Sequence, residues 1–178
     1  MLNTDNTVAL VVDIQERLLP VLHESGDFVA NSVKLLTGLR ALDVPVLITE
    51  QYPKGLGVTA ADVKTAAGDA PVFEKTRFSA YTDEVAAAIK AHHAENIVLL
   101  GCETHICVLQ TVLALQLWGL NVYLPQECVA SRTPANKKNG LRQCLAAGAV
   151  VSNIESVLFQ LLRDAKHPAF KTISKLIV

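Results

Sequence analysis

Asn96-Ile97-Val98-Leu99-Leu100-Gly101-Cys102-Glu103-Thr104-His105-Ile106-Cys107-Val108 is the stretch on which the fold turns. Its first part is apolar without alternation, the pattern of a strand covered on both faces, as in a parallel sheet. Gly101 permits a sharp backbone turn that residues bearing a Cβ resist. Thr104 is placed to cap a helix starting just beyond it, which puts Cys107 in the first turn of that helix.

The same strand-then-helix rhythm runs outward in both directions. Residues 7–12, 44–49, 72–74, 97–100, 122–124 and 149–152 read as strands. Helical patterns fill 27–42, 59–66, 83–91, 105–118 and 135–147, with two shorter ones at 156–163 and 168–177. Asp43-Val44-Pro45, Gly119 and Gly148 stand where helices should stop. Such alternation argues for an α/β fold of the doubly wound class, a parallel sheet with helices on both faces. No repeat, low-complexity segment or long linker divides the chain, so residues 1–178 are expected to form a single domain. The segment 50–57, with two Gly and one Pro, is expected to loop over the crevice at the sheet edge.

Composition excludes several classes of partner. The chain of 178 residues is 51% hydrophobic with a mean hydropathy of +0.32. Yet its apolar runs are broken by Asp13, Glu50, Gln110 or Gln116 well short of the roughly 20 residues a bilayer demands. Met1-Leu2-Asn3-Thr4-Asp5 lacks the basic start and apolar core of a secretory signal, so a cytoplasmic protein with no membrane partner is expected. With 16 basic and 17 acidic residues, a net charge of −1 and no basic stripe, no nucleic-acid partner is expected either. Cys102, Cys107, Cys128 and Cys144 form no Cys-x-x-Cys pair and no zinc-like spacing, and read as free thiols.

In doubly wound folds ligands bind beyond the carboxyl ends of the strands. Three polar residues stand there. Asp13 follows the first strand, where desolvation raises a carboxyl pKa; the alternative is a cap on the next turn. Lys75 lies just past the third strand, as a site ammonium or as a solvated surface charge, with Glu74 pointing the other way as a structural partner for Arg77 or a helix end. Cys107 sits where N–H groups and the positive end of a helix dipole favour a thiolate. The same N–H groups would hold an oxyanion. Cys102, Cys128 and Cys144 read as core. Loops at 18–24, 51–57 and 78–81 are expected to line a pocket for a small-molecule substrate. After Cys107 the helix is apolar nearly all round, which calls for cover by neighbouring elements or by a second subunit.

Asp13-Ile14-Gln15, Lys75-Thr76-Arg77-Phe78-Ser79-Ala80 and Gly101–Val108 together resemble the isochorismatase-like cysteine hydrolases, in the family's order and across essentially the whole chain. Cys107-Val108-Leu109-Gln110-Thr111 with Ala130-Ser131-Arg132 resembles the isochorismatase-domain-containing subgroup. The resemblance implies a Rossmann-like three-layer α/β/α fold with a six-stranded parallel sheet and a triad of Asp13, Lys75 and Cys107; a homo-oligomer is expected from the apolar helix after Cys107. The resemblance also implies a non-proline cis peptide at Cys102–Glu103 and an oxyanion hole from the backbone N–H groups of Glu103 and Cys107. Gln15, Phe78 and Thr104 are the expected substrate contacts. The implied chemistry is hydrolysis of a small carbon–nitrogen compound through a thioester, with no cofactor.

Two departures narrow the reading. Family nicotinamidases carry an Asp-x-His metal motif after the second strand; the corresponding Glu50-Gln51-Tyr52-Pro53-Lys54 does not, so no metal is expected. Authentic isochorismatases lack the nucleophilic cysteine, so Cys107 argues against that vinyl-ether reaction. Two other classes stay open on sequence: a catalytically quiet oligomeric interaction module, and a redox-sensing thiol with Cys102 as the resolving partner.

Overall fold

A computed structural model describes residues 2–177. Its strands are β1 (Thr7–Val12), β2 (Val46–Gln51), β3 (Val72–Lys75), β4 (Asn96–Cys102), β5 (Asn121–Pro125), β6 (Val129–Ala130) and β7 (Val150–Ser152). Its helices are α1 (Ser25–Ala41), α2 (Pro53–Leu56), α3 (Ala61–Ala67), α4 (Asp83–Ala91), α5 (Leu109–Leu117), α6 (Pro134–Ala146), α7 (Ile154–Leu162) and α8 (Phe170–Ile177). All strands are parallel, in the order β3-β2-β1-β4-β5-β7, with β6 pairing against the end of β4.

β1 and β4 are buried along their whole length. Val8, Leu10 and Val12 face a core closed by α4, α5 and α6, while Ala9 and Val11 face one closed by α1, α3, α7 and α8. Covered faces on both sides explain why these strands are solidly apolar. The order reverses between β1 and β4, so their carboxyl ends flank the crevice that this class of sheet uses for ligands.

Three expectations need correction. The sheet has a seventh strand, β6, too short at two residues to leave a pattern in the sequence. The segment after Thr49 is not wholly a loop: Glu50 and Gln51 continue β2 and pair with Glu74 and Lys75, so Lys75 closes β3 rather than following it. And Thr104 does not cap a helix. Residues Thr104–Val108 form a wider π turn ahead of α5 without a side-chain cap, because the Thr104 hydroxyl donates to the Ala130 carbonyl at 2.9 Å. Gly119 and Gly148, with φ of 76° and 101°, follow α5 and α6 as helix-stopping glycines do.

Candidate active site

Asp13 leaves β1 with φ 55°, in the left-handed region that Asp tolerates better than most residues. Its side chain does not cap the next turn. Oδ2 receives Lys75 Nζ at 2.6 Å, and Oδ1 receives the Thr49 hydroxyl at 2.8 Å. Lys75 Nζ also donates to Gln51 Oε1 at 2.7 Å and to the carbonyls of Arg77 and Phe78, each at 3.1 Å. Four acceptors thus fix the position of the Lys75 side-chain nitrogen.

Cys107 joins this pair. It is 8% exposed, and it and Asp13 perturb each other's proton affinity directly. Burial pushes the thiol up to about 12, the Asp13 charge adds to the rise, and Lys75 and the Glu103 backbone N–H oppose it. The helix-end expectation of a resting thiolate is therefore reversed: desolvation and a neighbouring carboxylate outweigh the favourable N–H groups. Asp13 is itself raised above the ordinary carboxylate range, by burial first, with Lys75 pulling the other way. The three side chains form a neutral thiol beside a buried ion pair, with a proton acceptor next to the sulfur.

Gly101 explains how the crevice closes this tightly. At φ 139°, a Cβ there would stand 2.1 Å from the Val12 carbonyl oxygen, so glycine alone lets β4 run this close to β1 as it turns out of the sheet. The next peptide, Cys102–Glu103, is cis. Cys102 is fully buried and its thiol donates to the Asp13 carbonyl at 3.1 Å. The Glu103 carbonyl accepts from the N–H groups of both Ile106 and Val108, anchoring the turn that carries Cys107.

Of the expected substrate contacts, Phe78 is 54% exposed, whereas Gln15 and Thr104 are fully buried. Gln15 is a brace. Its Nε2 donates to the carbonyls of Gln51 and Gly57, and its Oε1 accepts the Gln51 N–H. With Glu50 receiving both the N–H and the hydroxyl of Thr59, and Arg17 reaching the Gly55 carbonyl, the segment around α2 is fastened at both ends. A pocket of about 490 Å³ opens beside Lys75, lined by Tyr52, Lys54, Glu74, Arg77 and Asp83 among others. A larger groove of about 800 Å³ runs between α1 and α3, and Asp13, Lys75 and Cys107 are not among its lining residues. Among the described residues no three His, Cys, Asp or Glu side chains gather as a metal-ligand set.

Four contributors escape a reading of strand ends. Thr49 and Gln51 lie on β2 itself, and Thr111 lies on α5, where its hydroxyl donates to the Cys107 carbonyl at 2.6 Å and accepts the Ala80 N–H at 2.8 Å. A polar residue in an otherwise apolar strand or helix is the signal for Thr49 and Thr111. Arg132 follows β6, which left no trace in the pattern.

A family model for the isochorismatase domain matches residues 7–156. The chain is 38% identical over 172 residues to isochorismatase domain-containing protein 1 of Salmo salar, a match that spans 96% of this chain and 60% of that protein. The structure superposes with a TM-score of 0.95 on a Caenorhabditis elegans protein called MAR1 ribonuclease, at 34% identity, covering 99% of this chain and 91% of that one. It also superposes, with a TM-score of 0.92 at 22% identity, on the Escherichia coli YcaC gene product, described as an octameric hydrolase of unknown specificity; there 99% of this chain and 88% of the other are covered. The chain belongs to the isochorismatase domain family and spans about three fifths of the length of the relatives called isochorismatase domain-containing protein 1.

Proposed function

We propose that this member of the isochorismatase domain family is a cysteine-dependent amidohydrolase, in which Cys107 attacks the carbonyl of a small carbon–nitrogen substrate. One observation carries the reading: a thiol, a buried carboxylate and a saturated ammonium converge from the ends of β4, β1 and β3 at the crevice where the strand order reverses.

A thiol with a pKa near 12 is not a free-standing nucleophile, so the base must act in the same step as the attack. As the Sγ–C bond forms, the Cys107 proton passes to Asp13 and the carbonyl electrons move to oxygen. Backbone N–H groups of Glu103 and Cys107 receive that oxyanion. Collapse breaks the C–N bond while Asp13 returns its proton to the leaving nitrogen, giving a thioester and an amine. Asp13 then takes a proton from water, whose oxygen attacks the thioester. The C–S bond breaks, the thiolate regains the proton and the acid departs. Lys75 keeps its proton throughout and holds Asp13 in place.

Four unpaired cysteines support a reducing compartment such as the cytoplasm. Leu113, Leu117 and Trp118, at 50%, 85% and 70% exposure on or just after α5, support a homo-oligomer. They would equally serve a catalytically quiet interaction module, which is the second reading. A panel of small neutral amides tested against wild type and Cys107→Ala separates the two. Hydrolysis that vanishes in the variant upholds the first. Hydrolysis that survives unchanged, or is absent from wild type across the panel, sinks it.

A further inference from the structure

Glu103 and Arg132 form a second ion pair at the crevice, and neither carboxylate nor guanidinium moves a proton in the scheme above. Glu103 Oε2 accepts both the Arg132 backbone N–H at 2.9 Å and its Nε at 3.1 Å, and Oε1 lies 3.1 Å from the same Nε. The carboxylate is nearly buried, whereas the guanidinium is more than half exposed. The contact is one of three in a row. Thr104 donates to the Ala130 carbonyl, and the His105 ring nitrogen Nδ1 meets the Ser131 hydroxyl at 3.1 Å. Glu103, Thr104 and His105 are thus fastened, one after another, to the three residues 130–132. This seam continues the pairing of Gly101 with Val129 and of Cys102 with Ala130.

We infer that Arg132 is a positioning residue for the oxyanion hole, gripping the Glu103 side chain so that the Glu103 N–H keeps its aim. This rests on the proposed thiol chemistry. Main-chain donors act on an oxyanion only within about 2.7–3.1 Å of where its charge develops, so a small rotation of the Glu103 peptide forfeits the benefit. Two N–H donors on one carboxylate, the Arg132 main chain and its Nε, resist that rotation better than the main-chain contact alone. Arg132 has a second effect. It balances the Glu103 carboxylate, which would otherwise oppose negative charge forming beside it.

The probe is butanal, together with iodoacetamide. Addition of the Cys107 thiol across the aldehyde forms an S–C bond and leaves charge on oxygen before protonation, so the adduct depends on the oxyanion donors. Alkylation by iodoacetamide displaces iodide from a saturated carbon and does not. Arg132→Ala should weaken butanal binding at Cys107 by about tenfold or more. Arg132→Lys, which keeps the charge and the main-chain contact but lacks the Nε donor, should fall between wild type and Arg132→Ala. The iodoacetamide rate should stay within about threefold of wild type in both variants. A general loss of structure would instead change both probes and lower Tm, and that result, like equal butanal binding in wild type and both variants, overturns the inference. If wild type itself forms no Cys107 adduct, the underlying thiol chemistry fails first, and the inference with it.

Discussion

Lys75 Nζ stands 2.6 Å from Asp13 Oδ2, and both side chains are all but sealed from solvent. Breaking such a pair from one side leaves a bare buried charge, at a cost of about 3–5 kcal/mol. Lys75→Met should therefore lower the urea midpoint strongly, with hydrolysis lost as well. The variant should regain part of its stability in acid. With Lys75 gone, burial, the largest influence on Asp13, is opposed only by the Thr49 and Cys107 hydrogen bonds and holds the folded pKa above its unfolded value. The native state then binds more protons, and stability falls as pH rises from the unfolded value through the folded one. A penalty that does not shrink toward low pH would show that Asp13 is not the group left exposed.

Asp13→Asn is expected to divide two properties that a simple loss of structure would move together. The Asp13 charge raises the Cys107 pKa and Lys75 lowers it. Removing the carboxylate should make the thiol more acidic, so iodoacetamide alkylation near pH 8 should become faster while amide hydrolysis disappears. In wild type, alkylation should keep rising with pH through the alkaline range, since the thiol titrates only at about 12. Slower alkylation in the variant would rule out Asp13 as the neighbouring charge.

The parts legible in the sequence were those set by local pattern. Short runs, the clearest of them nearly all apolar, mark six strands, and Gly101 marks the turn out of β4. Asp13 is visible because a charge directly ending such a run is conspicuous, whereas Lys75, behind Glu74, stands out only through the family motif Lys75–Ala80. What was hidden depends on pairing between distant segments. β6 is two residues long and is defined by its partners Gly101 and Cys102 alone. Thr104 has the residue type and place of an N-cap, but the Ala130 carbonyl, which sequence distance conceals, takes its hydroxyl instead. Gln15 lies among site residues in sequence yet faces the α2 segment rather than the crevice. The sequence points to a thiolate at Cys107 because the helix end is a local feature, while burial and the Asp13 charge, which keep the thiol protonated, arrive from elsewhere in the fold.

Gly140 offers a test of how tightly α6 presses on the site. A Cβ at this position would stand 2.9 Å from both the His105 nitrogen and the Thr104 carbonyl carbon, backbone atoms of the turn that carries Cys107. Gly140→Ala removes a poor helix former, which by propensity alone would stabilise α6 by up to about 1 kcal/mol. The contact should reverse that sign and displace the turn. The expected result is a lower Tm together with slower Cys107 adduct formation with butanal. A gain in stability with unchanged butanal binding would mean that α6 does not support the turn.

Leu117 is 85% exposed and follows Leu113 by one helical turn, with Trp118 beside it and Tyr81 6.2 Å from the Trp118 ring. An exposed charge at such a position changes the stability of an isolated chain by no more than about 0.5 kcal/mol. If α5 is covered by a second copy, however, Leu117→Glu places a carboxylate inside an apolar contact, and the assembly should dissociate. Sedimentation should then give an oligomer for wild type and a lighter species for Leu117→Glu, while Tm at high dilution is alike for the two. The consequence for chemistry follows from where α5 begins. Its first residues continue directly from the turn of Cys107, and Thr111 ties it through the Ala80 N–H to the segment that presents the Phe78 carbonyl to Lys75. An interface on α5 would therefore brace two arms of the proposed triad at once, and dissociation should lower hydrolysis along with mass. Equal mass for wild type and variant would leave the apolar face of α5 without a second copy to explain it.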